Sequence, residues 1–229
     1  MNVLGMDVSH WQGNIDWQKA YAAGARAMYA KAGGCLHGNY FDGTAQQNLD
    51  GAQAAGFRFR GLYWFFDCDY SPDEQADYFI GLLKAHRNWN LLPCVDTEDQ
   101  TTATQSQARY RIDRFCSLVE RAFYLEWMRD YTRASWWDPV IGRVDWAAKR
   151  VDWLADYRGN SDPALPYGVT DWNVYQFSAD HNGRGREFGC ESADVDLDWF
   201  KPEILQPMPG LISRLTSHWL RKIKGNKPL

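Results

Sequence analysis

Hydrophobic and polar positions change period along this chain, and the changes mark out its elements. Apolar runs at 3–9, 27–32, 59–66, 91–97 and 128–131 read as strands. Helical patterns lie between them. Residues 17–23 follow an Asn/Asp cluster that can cap a helix, and 44–55 end at Gly56. Ser71-Pro72-Asp73-Glu74 opens a helix to about His86, with proline in the first turn and acids against the dipole. Residues 105–123 form the longest helix, apolar or aromatic at 112, 115, 119 and 122–123 along one face. Gly33-Gly34 reads as the end of the second strand.

Beyond 131 the rhythm changes. Runs at 151–157, 173–178 and 195–200 read as three more strands, and the Gly-, Pro-, Asn- and Asp-rich segments between them carry no long helical period. Alternating strands and helices imply a parallel sheet with right-handed crossovers. Eight strands suggest an α/β barrel whose last third has lost its helices. The expected division is a catalytic barrel at 1–205 and a tail at 206–229. In the tail, Leu211, Ile212, Leu215, Trp219 and Ile223 form one apolar stripe, with Arg214, His218, Arg221 and Lys224 largely opposite. That is a basic amphipathic helix. It either docks on the barrel or takes residues 210–229 to an anionic membrane or an acidic wall polymer.

Composition narrows the function. The 229 residues are 45% hydrophobic and 24% charged, ordinary values for a globular domain, and no apolar run approaches a membrane span. The net charge of −4 argues against a basic nucleic-acid-binding domain. Five cations and no acid in 206–229 leave −9 on the rest. The five cysteines are odd in number and form no CxxC, so buried reduced thiols are expected rather than a zinc knuckle or a disulfide scaffold. The histidines lack HxxxH or HxH spacing, and no P-loop or G-x-G-x-x-G occurs, so neither a metal nor a cofactor is expected. A monomer is expected. The opening residues lack the basic region and apolar stretch of a secretory leader. Twelve Trp and twelve Tyr suit either sugar-ring platforms or a large core.

The chemistry lies in acids at strand ends. Asp7 closes the first strand, Asp96 and Glu98 close the fourth, and Asp194, Asp196 and Asp198 mark the last. Barrel active sites gather at the C-terminal ends of strands. Residues i and i+2 share a face, so Asp96 and Glu98 both look into the mouth. Like charges confined together raise at least one pKa. A protonated carboxyl beside an ionised one is what glycosidic cleavage needs, the first to protonate the leaving oxygen and the second to stabilise the anomeric cation. A lone strand-end acid more often caps a helix. Asp-Thr-Glu after an apolar strand favours catalysis.

These residues carry a resemblance. Gly5-Met6-Asp7-Val8-Ser9-His10-Trp11-Gln12-Gly13, followed by Ile15-Asp16-Trp17, resembles the opening of the Chalaropsis-type lysozymes, glycoside hydrolase family 25. Gly61-Leu62-Tyr63-Trp64-Phe65, Asp96-Thr97-Glu98, Tyr131-Thr132, Trp153-Leu154-Ala155-Asp156-Tyr157, Tyr175-Gln176-Phe177 and Val195-Asp196-Leu197-Asp198-Trp199-Phe200 match later blocks in order. The resemblance implies a modified TIM-like barrel, (β/α)5(β)3. It also implies N-acetylmuramidase activity on the β-1,4 bond between N-acetylmuramic acid and N-acetylglucosamine of peptidoglycan. Carried over by position, Glu98 is the general acid and Asp96 assists the substrate's N-acetyl group or the cationic transition state. Asp7 and Asp196 complete the acidic floor, and Tyr63, Phe65, Tyr131, Trp153 and Gln176 line the groove. The implied setting is the bacterial cell wall, reached by a phage endolysin after lysis or by a secreted enzyme whose leader is removed. A chitinase-like hexosaminidase and a non-catalytic wall-binding module are the alternatives.

Overall fold

The structure, a computed structural model, describes residues 1–179 and 181–205. The expected tail helix and the 206–229 division lie outside the described residues. In chain order the elements are β1 (Val3–Val8), α1 (Trp17–Ala22), β2 (Ala27–Cys35), β3 (Asn39–Phe41), α2 (Ala45–Ala55), β4 (Phe59–Phe65), α3 (Pro72–Ala85), β5 (Cys94–Asp96), α4 (Gln105–Phe123), β6 (Arg129–Thr132), α5 (Ala134–Val140), α6 (Ala147–Arg150), β7 (Val151–Ala155), β8 (Val174–Ser178) and β9 (Asp196–Phe200).

The sheet runs β1-β9-β8-β7-β6-β5-β4-β2-β3, and β1 also pairs with β2. That second pairing closes eight strands into a barrel and leaves β3 outside as a hairpin partner of β2. Five β-strands carry a helix after them and three do not, as the (β/α)5(β)3 reading expects. The caps explain where the helices start. Asp16, Ser71 and Thr104 each accept a bond from a backbone N–H of the first turn, and Pro72 sits at the start of α3. Gly56 ends α2 in the left-handed conformation, at φ 100°.

Four expectations are corrected. The second strand does not end at Gly33-Gly34; β2 runs through both to Cys35 and turns into β3. A Cβ on Gly33 would lie 2.2 Å from the Tyr40 carbonyl oxygen, so only glycine lets the hairpin close. The fourth strand is shorter than 91–97, because Pro93 has no N–H for a ladder and the Leu91 N–H turns to the Arg60 carbonyl. Two short helices, α5 and α6, fill the segment after β6; α5 is seven residues long with Pro139 inside it, too short for a period to show. The sheet is not wholly parallel: β9 runs antiparallel to both β1 and β8. Among the described residues of the connection from β8 to β9 there is no crossover helix, and the chain re-enters at the end it left from.

Two apolar cores hold the barrel. The larger lies between sheet and helices and includes Met28, Leu62, Trp64, Phe79, Phe115 and Leu154. The smaller fills the inside with Tyr29, Tyr63, Cys94, Tyr131, Trp153 and Phe200. The Trp153 ring is the hub, 4.7 Å from Tyr29, 5.2 Å from Tyr131 and 6.3 Å from Tyr63 between centroids. Space for these rings comes from glycine: a Cβ on Gly61 would meet the Tyr29 ring at 2.1 Å, and one on Gly5 would meet Phe200 at 2.3 Å. The interior is therefore a plug of aromatic rings that leaves one open end. All five cysteines are free and buried, as expected from their spacing.

Candidate active site

The open end of the barrel is a cavity of about 740 Å³, within the usual range for a ligand site. The nine residues singled out from the sequence all line it: Asp7, Tyr63, Phe65, Asp96, Glu98, Tyr131, Trp153, Gln176 and Asp196. Asp7 and Asp96 reach it from the C-terminal ends of β1 and β5. Asp196 reaches it for a different reason. β9 is reversed, so its first residue, not its last, stands at the mouth, opposite Asp7 in the register.

The Asp-Thr-Glu turn is held from behind. The Thr97 N–H donates to the Tyr131 carbonyl at 2.9 Å, and its hydroxyl donates to Asp130 Oδ1 at 2.6 Å. The Thr132 hydroxyl returns a bond to the Thr97 carbonyl at 2.7 Å. With Thr97 turned outward and pinned, Asp96 and Glu98 are left facing the cavity. Burial pushes the Asp130 carboxyl up to about 8, so it stays protonated and neutral in the sheet–helix layer at neutral pH.

A chain of hydrogen bonds fixes the floor. The Tyr131 hydroxyl donates to Gln176 Oε1 at 2.8 Å, and the Tyr157 hydroxyl donates to the same oxygen. The Gln176 amide is thereby oriented, and its Nε2 donates to Asp7 Oδ2 at 2.7 Å. From the other side, Trp153 Nε1 donates to Asp198 Oδ1 at 2.9 Å. Asp198 in turn is hydrogen-bonded to Asp7. Burial first, then the Asp7 and Asp196 charges, holds Asp198 well above the carboxylate range, so it is the protonated partner and donates to Asp7.

Burial also pushes Asp7 up to about 6, against the stabilising bonds from Gln176 and Asp198. Asp96 is raised well above its ordinary value, by burial first and then by Glu98 and Asp7, while Lys31 opposes the rise. Asp96 Oδ1 is buried without a partner among the described residues. An unpaired buried carboxyl oxygen is costly unless a ligand donor meets it. Glu98 is less enclosed; its side chain is 27% exposed and lies 3.6 Å from the Arg133 guanidinium.

Five residues of the site were given no role from the sequence. Lys31 lines the cavity with its ammonium 4.5 Å from the Phe65 ring centroid. Its signal was the two-residue alternation from Tyr29 along β2. Asp198 lies two residues beyond Asp196, on the same face of β9. Tyr157 was visible as the last residue of a family-like block. Trp11, lining the rim with 73% of its surface exposed, stood inside the family-like opening block, and Arg133, just after β6, carried no local signal. Ser9 and His10 have structural partners: Ser9 caps a short 3₁₀ turn, and His10 Nδ1 lies 2.9 Å from Asp42.

Known proteins share this fold. The model of the glycosyl hydrolases family 25 matches residues 6–186. Lysozyme M1 of Streptomyces globisporus is 34% identical over 86% of this chain and 67% of its own. An N,O-diacetylmuramidase of Arthroderma benhamiae is 27% identical over 78% of this chain and 77% of its own. Among solved structures, the bacterial lysozyme of Streptomyces coelicolor superposes with a TM-score of 0.73 at 30% identity, covering 88% of this chain and 93% of that one. A closed eight-stranded barrel with acids gathered at its mouth, matched by that family over most of its length, makes this chain a member of glycosyl hydrolases family 25, a glycoside hydrolase of the lysozyme type.

Proposed function

We propose that the protein cleaves the β-1,4 bond between N-acetylmuramic acid and N-acetylglucosamine in bacterial cell-wall peptidoglycan, with Glu98 as general acid. The observation that carries this reading is the Asp96–Glu98 pair. One carboxyl is buried with an orphaned oxygen, and the other is open to the cavity. An acetamido N–H of the substrate is a fitting donor for Asp96 Oδ1. Once it binds, the Asp96 carboxylate is stabilised and the proton of the pair belongs on Glu98, which faces the leaving oxygen. Asp96 then assists the N-acetyl group, or the cation that develops at the anomeric carbon. Asp7, fixed by Gln176 and Asp198, and Asp196 across from it keep the floor negative under that cation. Tyr63, Tyr131 and Trp153 form the apolar wall, with Phe65 and Gln176 beside them.

The test is digestion of purified peptidoglycan, reduction of the fragments, and mass spectrometry of the new ends. A muramidase leaves reduced muramic acid. Reduced glucosamine ends, or faster digestion of chitin run alongside, would turn the reading toward another hexosaminidase. Glu98→Gln keeps the shape and removes the proton, so turnover should fall about 10²–10⁴-fold with the fold intact. Normal turnover by that variant would remove Glu98 from the mechanism.

A further inference from the structure

Among the described residues, five acids line the cavity (Asp7, Asp96, Glu98, Asp194 and Asp196) against two cations, Lys31 and Arg133. Arg133 stands on the Glu98 side. Lys31 has no part in the reaction as proposed above, yet a break in β2 sets its place. β2 pairs with β4 in step up to Lys31 opposite Tyr63; Gly33 and not Ala32 then faces Trp64. Ala32 is thus the extra residue of a bulge, a device that re-aims neighbouring side chains. Its carbonyl is not lost, because the Asp42 N–H donates to it at 2.8 Å. The bulge comes just past the last β1–β2 pairs, Asp7 with Tyr29 and Val8 with Ala30. Lys31 shares the Tyr29 face, two residues on, and so stands one step above Asp7. On its other side, Phe65 of β4 pairs with Asp96 of β5. The Lys31 ammonium lies 4.5 Å from the Phe65 ring centroid, 5.8 Å from that of Tyr63 and 6.0 Å from that of Tyr40. It therefore occupies the gap between the strand of Asp7 and the strand of Asp96, with aromatic rings around it.

We infer that Lys31 is the counter-charge that lets Asp96 ionise beside Glu98, and that it thereby sets the acid edge of the enzyme's working pH range. The inference rests on the muramidase reading, in which Asp96 assists the N-acetyl group or the anomeric cation. A protonated Asp96 can do neither. Burial, then Glu98 next to it, Asp7 on β1 and Asp130 on β6 oppose its ionisation, and Lys31 on β2 favours it. Asp196 on β9 shares the cavity. Tyr63 and Tyr131, raised by burial, stay neutral. The substrate's acetamido N–H acts in the same direction as Lys31 but arrives only with the substrate. Lys31 is present before it, so its effect is read in kcat/KM, which reports the free enzyme. The Asp96–Glu98 pair works with one proton between its two carboxyls, and loss of the first proton from the pair is the acid edge. Lys31 is thus a positioning residue that acts through Asp96.

The experiment follows kcat/KM on soluble, uncross-linked peptidoglycan strands against pH for the wild type, Lys31→Met and Lys31→Arg. Methionine keeps an apolar stem against the rings and removes the charge. An opposite charge this close shifts a carboxyl by about one unit or more, so Lys31→Met should move the acid edge up by about one pH unit. That is about a tenfold loss below the edge and a smaller one above it. Lys31→Arg keeps the charge and should leave the edge near its wild-type place. Carbon-13 NMR titration of the carboxyl groups, with Asp96→Asn to assign the signal, reads the same shift without turnover. An Asp96 signal or an acid edge unmoved in Lys31→Met overturns the inference, as does Lys31→Met slowed equally at every pH. A wild type that leaves no reduced muramic acid ends overturns the muramidase reading instead, while the titration still reports whether Lys31 governs Asp96.

Discussion

Asp7→Asn should make the protein more stable at neutral pH while impairing it as a catalyst. The Asp7 carboxyl keeps its proton up to about 6 in the fold, against 3.8 ordinarily. Below pH 3.8 both folded and unfolded chains hold this proton, and the group contributes no difference. Between 3.8 and about 6 the unfolded chain releases it and the fold does not, so stability falls as pH rises through that window. Above 6 the full cost is present. That gap corresponds to about 3 kcal/mol at pH 7 and about 0.5 kcal/mol at pH 4. The cost is already net of the bonds from Gln176 and Asp198. Asparagine has nearly the same shape, accepts from Gln176 and never ionises. Urea denaturation should therefore give Asp7→Asn about 3 kcal/mol over the wild type at pH 7 and only about 0.5 kcal/mol at pH 4. At about 2–4 °C per kcal/mol for a domain this size, the melting temperature should rise by about 6–12 °C at pH 7. A variant no more stable than the wild type at pH 7, or one whose gain is the same at pH 4, refutes the claim that the floor of the site holds a strained charge.

Gly61→Ala places a Cβ 2.1 Å from the Tyr29 ring, which is fixed by its hydroxyl donating to the Leu92 carbonyl at 2.8 Å. Overpacking of this kind costs about 1–3 kcal/mol, so calorimetry should show a melting temperature several degrees lower, and an unchanged value would mean the plug is loose. Deleting residues 210–229 should leave hydrolysis of soluble fragments intact and weaken binding to anionic vesicles or whole cells in a salt-dependent way. Loss of folding would show that the tail belongs to the core.

The fold was legible wherever a physical period outlasted its noise. The α4 face, the Ser71-Pro72 start of α3 and the apolar strands ending in acids each carried more than one agreeing signal. Reversal of β9 was not legible, because strand direction is set by the connection and a loop of polar residues has no direction of its own. Of the site, the acids could be read because two acids spaced by one residue at the end of an apolar strand point the same way into a barrel mouth. Gln176 came through the family-like block; its task of orienting Asp7 through Tyr131 and Tyr157 depends on four separate strands and loops converging. Arg133 was hidden for the same reason. An arginine one residue past a strand looks like any solvated charge until Glu98 is seen beside it.

Reversal of β9 also decides where the chain leaves the barrel. Asp196 stands at the mouth and Phe200 pairs with Val3 at the opposite end. Leu205, with Val3 and Phe59, closes that end. Both ends of the barrel chain are therefore on the face turned away from the cavity. The point of attachment for whatever follows Leu205 is therefore behind the mouth. A grip on the wall from that side would not press substrate into the cavity. It would confine the enzyme to a patch of surface and leave the mouth free to sample the strands within reach, so anchoring would raise local encounter frequency rather than affinity for any one glycan.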